Sequence, residues 1–294
     1  MENITKCLKQ NKPNISESSI KTYGSLLKSF YYKNHEKDSE LDCDWFNKQD
    51  EIVLLLKDKP ASTRKTTYAA LIAISSENDK YKKALMEDGK KYQAFIDKQE
   101  KTETQEENWK NYDEIKAIFA DMSKRVKPIL NSKVPLDAKS YSMLLDFIIV
   151  CITSGIFISP RRSLDWIELK IKSPDKAADN YIEKNDFVFN KYKTAKFYGS
   201  QKVEMPKELK LILTKFIKLN PHEYLLTEFN GTRVSNVRLT QKLNNIFEGK
   251  ISTSMLRHIY LTDKLKDVPA LNDLKEMASN MGHSVTEALQ YVKK

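Results

Sequence analysis

A chain of 294 residues with 40% apolar side chains can bury a core in each of two ordinary domains, and its net charge of +10 favours a polyanionic partner. The N-terminus MENITKCLKQNKPN lacks the apolar stretch of a signal peptide. The longest apolar run, residues 143–158, is interrupted by Asp146, so a soluble intracellular protein with no membrane partner is expected. The cysteines, Cys7, Cys43 and Cys151, and the histidines, His35, His222, His258 and His283, are too scattered to indicate a disulfide framework or a metal site, and no phosphate-binding glycine motif is present. No metal and no cofactor are expected.

In chain order, the first hundred residues read as amphipathic helices. SESSIKTYGSLLKSFYYKN places Ile20, Tyr23, Leu27 and Phe30 at helical spacing behind a serine cap, and ASTRKTTYAALIAI repeats the pattern with Ser62 as cap and Tyr68, Leu71 and Ile74 on one face. Helices near 46–56 and 79–98 complete a small bundle. Residues 97–108, DKQEKTETQEEN, have no apolar residue and many charges, and mark a boundary. Two further helices follow, the second a core helix through DAKSYSMLLDFIIVCITSG. The period then changes: DWIELKI, DNYIEKNDFVFNKYKT and QKVEMP alternate apolar and polar residues, which predicts a small antiparallel sheet. Helices return near 208–218, 235–247, 253–266, 270–280 and 284–292.

The first hundred residues carry 18 basic and 16 acidic side chains, leaving 32 and 24 for the rest, so the positive excess is +2 before residue 100 and +8 after it. Only seven of the 50 basic residues are arginine: Arg64, Arg125, Arg161, Arg162, Arg233, Arg238 and Arg257. Where a lysine-rich chain uses arginine, the planar bidentate fork has a use, as in clamping a phosphate; the alternative is codon bias with a few random arginines.

Four pieces of the second domain carry groups able to do chemistry: SPRRSLDW after the core helix, KYKTAK in the hairpin, STSMLRHIYLTD opening a helix, and MGHSVTEALQY. In this order they resemble the tyrosine recombinase or phage-integrase family. Its pattern is an Arg with an acid three residues later, a Lys-Thr in a β-hairpin, a His-x-x-Arg helix start, then Gly-His and a nucleophilic Tyr. The pieces run through residues 153–291. The intervals of 95 residues from Arg162 to Arg257 and 34 from Arg257 to Tyr291 are typical of that family. SPRRSLDW, with Pro where bacterial members usually show Thr-Gly-x-Arg, looks more like recombinases of large DNA viruses, virophages and related mobile elements. A virus-borne protein would work in the host nucleus or cytoplasm.

The resemblance implies a mainly α fold with a small antiparallel β-sheet: a helical core-binding domain at 1–100, a linker at 101–108, and an α+β catalytic domain at 109–294. It implies that Arg162, which has Asp165 at the family's three-residue offset, and Arg257 hold the phosphate. Lys193, His283 and Tyr291 would serve as hairpin lysine, histidine and nucleophile. Ser254 stands where the family usually has His, and Arg161 and His258 are accessory candidates. Each residue also has a plain structural reading: Tyr291 as a core aromatic, Lys193 as a solvated lysine, Arg161 as a DNA-backbone contact and His258 as a packing residue.

The partner implied is double-stranded DNA, clamped between two domains. With so little chain after Tyr291 to pass to a neighbour, the expected assembly is a monomer in free solution and a homotetramer on paired DNA sites. Three other classes stay open: a type IB topoisomerase-like relaxing enzyme, a non-catalytic DNA-binding protein derived from a recombinase, and a metal-dependent transposase with three carboxylates.

Overall fold

Apolar residues at helical spacing behind polar caps build most of the chain, as a computed structural model describes for residues 2–36, 39–281 and 284–286. By internal contacts the chain forms two units, Met1–Glu100 together with the segment from Ala270 onward, and Lys101–Pro269. No helix among the described residues is long and apolar enough to cross a membrane.

The first unit holds α1 (Glu2–Asn11), α2 (Glu17–Asn34), a 3-10 turn (Asp44–Asn47), α3 (Gln49–Leu56), α4 (Ala61–Ile74) and α5 (Asp79–Asp97). Leu8, Leu27, Phe46, Ile52, Leu71 and Tyr81 make its core. Ser16 caps α2 by accepting from the Ser19 N–H at 3.2 Å. Ser62 is not a cap: α4 starts one residue earlier behind Pro60, whose fixed φ suits a helix entry, and the Ser62 carbonyl accepts from Thr66 Oγ1. The sulfurs of Cys7 and Cys43 are bonded, joining α1 to the segment before the 3-10 turn across 36 residues of sequence. The scattered cysteines gave no indication of this bond, because separation in sequence hid a neighbour created by the bundle.

The segment from Ala270 carries α14 (Leu271–Asn280), which sequence assigns to the second domain. Its contacts are with the end of α5: the Leu271 N–H donates to Gln99 Oε1 at 2.7 Å, and Lys275 Nζ lies 2.6 Å from Asp97 Oδ2. The helix expected near 284–292, with His283 before it, lies outside the described residues apart from 284–286.

In the second unit, residues 101–108 are largely helical: α6 (Glu103–Asn108) starts at a capping box made by Thr102 and Gln105. Then come α7 (Tyr112–Leu130) and α8 (Ala138–Thr153), whose Phe147–Ile152 stretch is fully buried. Asp146, the interruption of the apolar run, receives a hydrogen bond from the buried Lys242 at 2.9 Å. The chain continues through α9 (Ser163–Ile167), β1 (Leu169–Lys170), β2 (Asn180–Glu183), β3 (Asp186–Phe189), α10 (Ala195–Tyr198) and β4 (Gln201–Glu204). It closes with α11 (Lys207–Leu219), α12 (Asn236–Phe247) and α13 (Thr253–Lys264).

The four strands lie in the order β1-β2-β3-β4. The sheet is mixed, which corrects the antiparallel expectation: Leu169 pairs with Asn180 and Lys170 with Tyr181 in parallel, while β2-β3 and β3-β4 are antiparallel. Alternation marks a residue as strand but carries no direction. The fold is therefore mainly helical with a small four-stranded mixed sheet in the C-terminal half.

Candidate active site

Three segments converge on a cleft of about 260 Å³ lined by Pro160, Arg161, Arg162 and Asp165, by Tyr192, Thr194, Tyr198 and Gln201, and by Arg257. Arg162 occupies the N-cap position of α9 with extended backbone, so its side chain leaves the helix at its first residue. Arg257 comes from the second turn of α13, a helix capped by Ser252 accepting from the Met255 N–H at 3.3 Å. Met255, Leu256 and Ile259 bury the inner face of α13, which leaves Arg257 half-buried and Ser254 and His258 exposed.

The approach to α9 is braced against α13. Gly155 turns the chain at φ 90°, and a Cβ there would run into the Tyr260 ring. Four residues later, Ser159 Oγ is 3.2 Å from the Tyr260 hydroxyl. Because Tyr260 is one helical turn after Arg257, this contact fixes the arginine-bearing loop relative to the arginine-bearing helix.

The adjacent arginines do different work. The Arg161 guanidinium lies 4.0 Å above the Phe189 ring and donates to Asp165 Oδ2 at 2.9 Å and Gln201 Oε1 at 3.0 Å, joining α9 to β3 and β4. Asp165, which the three-residue offset couples to Arg162, therefore takes its hydrogen bond from Arg161. Its other oxygen, Oδ1, is buried without a hydrogen-bond partner among the described residues. Burial pushes the Asp165 carboxyl above the usual range, opposed first by Arg161 and then by the fields of Arg162 and Arg257.

Five of the seven arginines are consumed by ion pairs: Arg64–Asp88, Arg125–Asp121, Arg161–Asp165, Arg233–Glu168 and Arg238–Glu228. Among the described residues, the guanidinium groups of Arg162 and Arg257 have no hydrogen bond or ion pair. Two bidentate donors at one cleft, whose carboxylate Asp165 already accepts a hydrogen bond from Arg161, form an anion-binding arrangement.

Lys193 lies in the turn between β3 and β4 and is exposed; its neighbours Tyr192 and Thr194 line the cleft and Lys193 itself does not. That turn is anchored by Asn180, a fully buried residue opening β2. Its amide donates to the carbonyls of Asp165 at 3.1 Å and Lys191 at 2.8 Å, and its oxygen accepts from the N–H groups of Asn190 and Lys191 at 3.0 and 2.7 Å. All four hydrogen-bonding positions of the amide are used. Sequence reasoning missed Asn180, Gln201 and Tyr260; an Asn inside an alternating strand was the visible signal for the first. His283 and Tyr291 lie outside the described residues.

The chain matches no known family model, no curated protein and no solved structure.

Proposed function

We propose that the protein is a DNA strand transferase of the tyrosine recombinase type, cleaving and rejoining double-stranded DNA without metal or ATP. The observation that carries this reading is that, of seven arginines, the two without a hydrogen bond or ion pair among the described residues, Arg162 and Arg257, line the same cleft. A phosphodiester attacked in line gathers negative charge on its non-bridging oxygens, and two convergent guanidinium groups offset that charge most where it develops. Tyr291, by resemblance, supplies the nucleophile. Its phenolic oxygen bonds to phosphorus, the bond to the 5′ oxygen breaks, and that oxygen leaves as a hydroxyl after gaining a proton, a role assigned to Lys193. His283 handles the phenol proton. Reversal of the same steps rejoins the strand, because the phosphotyrosyl bond keeps the energy of the phosphodiester.

The electropositive second half supports a nucleic-acid partner. We read the active assembly as a tetramer on paired sites formed from free monomers.

The test is adduct trapping. The full-length protein is incubated in EDTA with a library of nicked duplexes of random sequence, and covalent protein–DNA species are resolved under denaturing conditions. The wild type is expected to give an adduct that Tyr291→Phe lacks. An adduct that survives Tyr291→Phe, or cleavage that needs added magnesium, would overturn the reading.

A further inference from the structure

The connection between β3 and β4 presents two large aromatic side chains to solvent: Phe197 is 85% exposed and Tyr198 is 69% exposed. Phe197 is the most exposed of the large apolar residues among the described positions. This exposure belongs to an ordered turn. The N–H groups of Phe197 and Tyr198 donate to the Thr194 carbonyl at 3.0 and 3.2 Å, and the Gly199 N–H donates to the Ala195 carbonyl at 2.9 Å. The buried Tyr192 closes the base of the turn, its hydroxyl donating to the Gly199 carbonyl at 2.8 Å. Gly199, at φ 65°, makes the left-handed exit that lets the chain return into β4.

The surroundings identify what would cover these rings. Lys193 and Lys196, both exposed, belong to the same connection, and Tyr198 also lines the cleft that holds Arg162 and Arg257. An apolar ring amid cations, next to an anion site, complements a polyanion that offers planar apolar faces between its charges. Base pairs beside their own phosphates have that character.

We propose that Phe197, backed by Tyr198, enters the base stack of duplex DNA beside the phosphodiester held at the cleft and partly opens that step. This rests on the strand-transferase reading for the phosphodiester, and adds a wedge that distorts the duplex where the strand is to be cut. Opening a paired step costs energy that a mismatched step has already lost.

Full-length protein is titrated at low salt into two 40-base-pair duplexes that differ only in one central mismatch, each with 2-aminopurine at that step. The wild type should bind the mismatched duplex about tenfold more tightly and raise 2-aminopurine emission in the paired one. Phe197→Ala should lose both the preference and the emission rise while keeping the salt dependence set by phosphate contacts. Phe197→Trp should keep them, with its own emission quenched by stacking. If Phe197→Ala retains the preference and the emission rise, the wedge is refuted and the strand-transferase reading stands. If those signals persist and only self-association on DNA is lost by sedimentation, the patch belongs to a second copy of the chain and the wedge is again refuted. No binding of either duplex by the wild type would remove both readings.

Discussion

Arg64 in the first unit and Arg257 in the second both rise from helices, both are half-buried, and both interrupt a chain whose cations are nearly all lysine. Their surroundings are opposite. Arg64 Nε donates to Asp88 Oδ2 at 2.7 Å, a second nitrogen meets the other oxygen of Asp88, and Nη1 donates to the carbonyls of Lys57 and Lys59 at 3.1 and 2.8 Å. Arg257 and its cleft partner Arg162 spend no guanidinium donor on the described protein. An arginine that supports a fold saturates its fork internally, whereas one that serves an anion leaves the fork open at the cost of some mutual repulsion.

The widest separation should come from paired substitutions. Arg257→Ala should lower the rate of covalent adduct formation by about 10³-fold while moving unfolding stability by no more than about 0.5 kcal/mol. Arg64→Ala should do the reverse, stranding Asp88 and destabilising the first unit by about 3 kcal/mol with little change in adduct rate per folded molecule. Urea denaturation alongside adduct trapping measures both, and equal destabilisation by the two substitutions would erase the contrast.

The first unit is also the one that is cross-linked. Reducing Cys7–Cys43 opens a loop of 36 residues of sequence separation, which by loop entropy removes about 4 kcal/mol. Unfolding of the first unit should shift to lower urea in dithiothreitol, and Cys7→Ser should abolish that dependence. A second-unit transition that moved equally would contradict the assignment.

Acid sharpens the comparison further, since the two arginine-facing carboxyls shift in opposite directions. Hydrogen bonding to Arg64 holds Asp88 below the usual carboxylate range. Its contribution is therefore present above an unfolded pKa of about 3.9 and lost as pH falls through the lower folded value. Asp165 is raised by burial, so its contribution is present below that unfolded value and lost as pH rises through the folded one. Asp88→Asn should flatten the acid loss of first-unit stability, and Asp165→Asn should flatten the decline on the other side. Stability against pH, followed by denaturant unfolding of each variant, tests the two signs.

The smallest effect is expected at Ser254, exposed on α13. Its hydroxyl can hydrogen-bond a phosphate but cannot hold a proton near neutral pH. Ser254→Ala should slow adduct formation far less than His283→Ala, and equal large losses would contradict that division of labour.

Much of the helical framework was legible because caps are local. Ser16, read from the sequence, stands before α2 and accepts from the Ser19 N–H; Asn111, Asp137, Ser235 and Ser252, which the structure adds, cap their helices in the same way. Ser62 misled because Pro60 had already started the helix. What depends on the folded neighbourhood was not legible: the parallel pairing of β1 with β2, the bond between Cys7 and Cys43, and the contact of α14 with α5. At the cleft, the order of motifs singled out Arg162 and Arg257. It could not tell that Arg161 takes the hydrogen bond of Asp165, since offsets of three and four residues are equally close on a helix. Nor could a single Asn at the start of a strand reveal that Asn180 ties the Lys193 turn to α9.

The most direct measurement uses DNA whose target phosphate is replaced by a methylphosphonate, which lacks the negative non-bridging oxygen. If Arg162 and Arg257 act by offsetting that charge, Arg162→Ala and Arg257→Ala should be severely slowed in adduct formation on phosphate DNA and nearly as fast as the wild type on the methylphosphonate. An equal loss on both substrates would contradict a phosphate clamp and assign the two unpartnered arginines to another task.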